Sequence, residues 1–66
     1  MNKCNINLEE LLKAANTLLE ISNTGDIDRD DSSCGVLYGI ARDSAFKLIQ
    51  QTEAEILKHK DSGKWK

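Results

Sequence analysis

Two stretches of this chain place apolar residues at helical spacing, and a polar, aspartate-rich segment separates them. In the first, Leu8, Leu11, Leu12, Ala15, Leu18, Leu19 and Ser22 follow the i, i+3, i+4, i+7 rhythm that stacks side chains on one stripe. The spacing predicts a short helix over about 7–22. Asn7 is the expected N-cap, with Glu10 completing a capping box and Ile6 and Leu11 forming a hydrophobic staple. Glu9 and Lys13 add a favourable i, i+4 pair, and Gly25 or Asn23 offers a left-handed stop.

The second stretch predicts a long helix over about 33–60, starting near Ser32 or Ser33 and ending near Ser62 and Gly63. Cys34, Leu37, Tyr38, Ala41, Ala45, Leu48, Ile49, Thr52 and Ile56 share one broad sector, expected to pack on the first helix. A second side carries Gly35, Gly39, Phe46 and Leu57, while Val36 and Ile40 make the first two turns apolar nearly all round. The pattern therefore predicts an all-α, two-helix antiparallel hairpin forming one domain over residues 1–66.

Length sharpens that expectation. A helix of about 16 residues is roughly 24 Å long and one of about 28 residues roughly 42 Å, so the first would leave part of the second uncovered. Exposing Thr52, Ile56, Leu57 and Phe46 forfeits stability at ~25 cal/mol per Å² of apolar surface. The expected remedy is a homodimer of hairpins forming a four-helix bundle, with a fold-back of Trp65 over the overhang as the alternative.

Composition agrees. At 66 residues, with 39% apolar and 30% charged residues, the chain suits a globular domain at the size where a lone core is marginal. The net charge of −2 argues by itself for neither nucleic acid nor membrane, and no apolar run approaches a membrane span or a signal sequence. A cytoplasmic location follows as the expectation. Two cysteines, Cys4 and Cys34, are too few for a disulfide scaffold, and a hairpin puts them at opposite ends, beyond intrachain bonding.

Candidate chemistry is sparse. Asp26, Asp28 and Asp30 have the 1, 3, 5 spacing of a calcium loop, but Asp31 stands where that loop needs glycine and Leu37 where it needs a bidentate glutamate. The segment reads as a connector whose last acids and serines cap the second helix, with a weak cation site as the sharper reading. His59 has no nucleophile or base at a recognisable spacing, and phosphate-loop and zinc patterns are missing. It reads as a solvated helix-end histidine. No enzymatic activity, cofactor or small-molecule substrate is expected.

Two readings of function remain. The first is a non-enzymatic protein–protein interaction module, an adaptor or regulatory accessory protein acting as a homodimer. Its surface would be the second side of the long helix, with Gly35, Gly39, Arg42, Phe46, Glu53 and Leu57, its partners being itself and another protein. Gly35 and Gly39 form a small-xxx-small pair suited to close helix approach, or Gly35 merely belongs to an irregular first turn. The second reading is a small nucleic-acid-binding regulator using the basic tail, Lys58, Lys60, Lys64, Trp65 and Lys66, helped by Arg42 and Lys47.

Overall fold

Asn2 starts the first helix: its side chain accepts from the backbone N–H of Asn5 at 2.9 Å, satisfying one of the amides that a helix N-terminus leaves without a partner. In this computed structural model, which describes residues 2–65, α1 spans Lys3–Ile27 and α2 spans Ser32–Asp61. The two pack side by side as an antiparallel hairpin, with Cα extents of 48 × 15 × 12 Å.

Both ends of α1 lie beyond the expected 7–22. Asn7 is exposed inside the helix and caps nothing; Asn2 takes that role because Asn5, one turn on, is held by the other end of the chain. At the far end neither Asn23 nor Gly25 turns left-handed, since the only described residue with positive φ is Gly63. Helical backbone continues through Ser22, whose buried hydroxyl donates back to the Leu18 carbonyl at 2.7 Å, and stops at Asp28. The helices therefore differ by only five residues, 25 against 30, and the expected overhang of α2 is nearly absent.

The second helix fits the expected 33–60 closely. Asp31 is its N-cap, accepting from the Cys34 amide at 2.9 Å. Its end is a Schellman motif: Lys64 N–H donates to the His59 carbonyl at 2.8 Å and Gly63 N–H to that of Lys60 at 3.2 Å, with Gly63 at φ 73°. No described helix is long and apolar enough to cross a membrane.

Where the helices meet, the repeat is 3.5 rather than 3.6. Asn5, Leu8, Leu12, Ala15, Leu19, Ser22 and Asp26 on α1 step by three and four, as do Gly35, Tyr38, Arg42, Ala45, Ile49, Thr52, Ile56 and His59 on α2, and each is buried or half-buried. This is the seam of an antiparallel coiled coil. The fully enclosed residues are small or polar: Ala15 and Ala45 are the buried hydrophobics, beside Asn5, Ser22 and Thr52. Small side chains at the seam let the two axes come close, and they leave little apolar area inside.

Candidate functional site

Large apolar side chains such as Leu12, Leu19 and Ile49 are half-buried at the seam, and others stand outside it. Among the described residues, ten of them stand exposed, from Leu48 at 39% to Ile27 at 81%, on a chain whose enclosed apolar residues are two alanines. They fall on different flanks of the seam.

On one flank, α1 presents Cys4, Leu11, Leu18 and Gly25 at seven-residue intervals, and α2 presents Cys34, Ala41, Leu48 and Glu55. Leu11 and Leu48, both expected in the core, instead border the same open groove with Leu8, Gln51, Thr52 and Glu55. The physical reason is the 3.5 repeat, which centres the seam on Leu12, Ala15, Ala45 and Ile49 and rotates Leu11 and Leu48 to its edge. Ile21 and Leu37, likewise exposed, widen this flank.

The opposite flank is polar along α1, with Glu9, Asn16 and Asn23, and mixed along α2, with Gly39, Phe46, Glu53 and Lys60. Phe46 and Leu57 lie on this side, 53% and 59% exposed, and Leu57 lines a shallow groove with Leu12, Glu53, Ile56 and Lys60. Of the surface expected on α2, Gly39, Phe46, Glu53 and Leu57 thus share a flank. Gly35 and Arg42 do not, because both belong to the seam.

Arg42 is spent within the hairpin: its guanidinium donates to Asn23 Oδ1 and Asp26 Oδ2, each at 3.2 Å, tying α2 to the end of α1. Gly35 lies beneath the Arg29 side chain rather than against a helix, and nothing approaches the space a Cβ would take at Gly39. Asp26 is also held by Arg29 at 2.8 Å, so the first expected cation ligand already has two cationic neighbours. Asp28 caps α1 and Asp30 is exposed in the connector; among the described residues no three acidic, histidine or cysteine side chains gather in metal-binding geometry.

At the hairpin's open end, His59 departs from the solvated helix-end expectation. Its side chain is only 17% exposed, with Nδ1 2.8 Å from Asn5 Oδ1 and Nε2 3.4 Å from Glu55 Oε1. The Asn5 amide N–H donates to the Lys64 carbonyl at 2.7 Å, so a fully buried asparagine binds α1, α2 and the tail together. Sequence reading missed Asn5; its one available signal was a polar residue at a seam position in phase with Leu8 and Leu12.

The basic tail is also turned inward. Lys60 places its ammonium 5.2 Å from the Trp65 ring centroid, and Lys58 lies 3.9 Å from Glu55. Trp65 is half-buried, yet Leu57 remains exposed, so the expected fold-back of the indole does not cover that side chain. Lys47 and Lys64 are exposed, and Lys66 lies outside the described residues. Cys4, exposed, and Cys34, half-buried, are both free thiols at opposite ends of the hairpin. Comparison with protein families, with characterised proteins and with solved structures finds no match to this chain.

Proposed function

We propose that this chain is a non-enzymatic protein–protein interaction module that works as a homodimer of helical hairpins. The observation that carries the reading is the inversion of its apolar residues: enclosed alanines, exposed leucines, isoleucines and phenylalanine. So many exposed large apolar side chains on a small domain mark its flanks as surfaces of association. A 66-residue chain with so little enclosed apolar area also lacks the core to stand alone at ordinary stability. Its working surface toward another protein is the flank of Phe46, Glu53 and Leu57, where two large apolar side chains are framed by charges.

In the second reading, the basic tail binds nucleic acid, and a base stacking on the Trp65 face that Lys60 covers would displace that ammonium. Light scattering on a sizing column, over a range of concentrations, tests the dimer. The expected mass is twice the 7.4 kDa of the chain. A helical monomer at every concentration would refute it.

A further inference from the structure

We infer that the flank of Leu11, Leu18, Ala41 and Leu48 is the seat of a second copy of this chain, docked face to face with the connector of each hairpin at the open end of its partner. The inference rests on the homodimer reading and adds which face pairs and in which orientation.

Three observations point to it. The flank carries a single charge, Glu55 near the open end, beside Leu11, Leu18, Gly25, Ala41 and Leu48, whereas the other flank carries Glu9, Glu53 and Lys60. A two-fold axis across the middle of the face passes near Leu18 on α1 and Leu48 on α2, which are level with each other, so each of these leucines lies near its own counterpart in the second copy. That is the self-complementarity an isologous contact requires. The size also suits: a Cα envelope of 48 by 15 Å offers roughly 700 Å², close to the ~800 Å² per partner of a standard interface.

Charge fixes the orientation. Residues 28–31 carry Asp28, Asp30 and Asp31 against Arg29, all exposed, and the open end carries Lys3, Lys58, Lys60 and Lys64 against Glu55 and Asp61. Connector against open end brings opposite signs together; connector against connector stacks like charges. In the resulting bundle the Phe46 and Leu57 flanks stay outside, presented twice on a two-fold axis.

The cysteines report the arrangement. Connector to open end, Cys4 of one copy comes level with the partner copy's position 34; connector to connector, each cysteine meets its own twin. Treatment of the intact protein with a short bis-maleimide, followed by peptide mapping, is expected to yield dimers linked between residues 4 and 34, and Cys4→Ser and Cys34→Ser are each expected to abolish linking. Linked dimers from either single-cysteine variant would overturn the orientation. Leu48→Asp and Leu11→Asp are expected to halve the mass seen by light scattering, and Phe46→Asp to leave it unchanged. The reverse pattern would overturn the choice of face while the homodimer stands, whereas a monomeric unsubstituted protein would remove the homodimer itself.

Discussion

Asn5 and His59, 54 residues apart, lock the open end of the hairpin: Asn5 Oδ1 accepts from His59 Nδ1 at 2.8 Å. The direction follows from the third partner. Because the Asn5 amide N–H donates to the Lys64 carbonyl, its oxygen faces His59, and His59 must carry its proton on Nδ1. Nε2 lies 3.4 Å from Glu55 Oε1, a contact that becomes an ion pair only when this nitrogen is protonated as well.

Asn5→Ala is expected to cost about 1–3 kcal/mol, since it leaves the Lys64 carbonyl and His59 Nδ1 without their partner in a part-buried place. It should also release the tail. Trp65, the single tryptophan, reports this directly: its emission should shift to the red at temperatures where far-ultraviolet circular dichroism still shows folded helices. Unchanged emission would mean that the tail is held by other contacts.

The close seam sets a second expectation. Ala45 is completely enclosed, and Ala45→Leu adds carbons where the axes leave no room, at a cost of about 1–3 kcal/mol by urea denaturation. A variant as stable as the parent would show that the helices separate readily at that level.

Two of the three helical glycines should respond in opposite directions. Nothing stands near Gly39, so Gly39→Ala is expected to gain up to ~1 kcal/mol in helix stability. At Gly25 a methyl group would overlap the Tyr38 ring, so Gly25→Ala is expected to lose stability or displace that ring, visible in the tyrosine NMR shifts. Loss of the dimer in Gly39→Ala would instead assign that glycine to a close helix contact between copies.

Acid should loosen the start of α2. The Cys34 amide holds the Asp31 carboxyl below its usual value of 3.8. A depressed carboxylate contributes stability that is fully present above the unfolded value and is lost as pH falls through the folded one. Helix content should therefore decline as pH drops below about 4. In Asp31→Asn, which keeps the cap oxygen, that part of the decline should be missing; an identical acid limb in both proteins would place it elsewhere.

The two helices and their polar connector were legible from periodicity alone, because a helix needs only its own backbone bonds and one apolar stripe. The Asp31 cap region and the Gly63 stop were legible for the same local reason. Position 22 illustrates the limit: Ser22 fits the stripe, but that its hydroxyl would satisfy itself on Leu18 and carry α1 another five residues depended on burial against α2. Asn2 could not be preferred over Asn7 as the cap while the partners of Asn5 lay more than fifty residues away.

By itself, then, the order of residues determined that this chain forms an antiparallel pair of helices carrying more apolar surface than the pair can hide. Only the tertiary structure decided which residues are hidden. Leu11 and Leu12, or Leu48 and Ile49, are adjacent in sequence and both belong to the broad apolar sector of their helix; the 3.5-residue register of two helices in contact is what turns one of each pair into the seam and the other toward solvent.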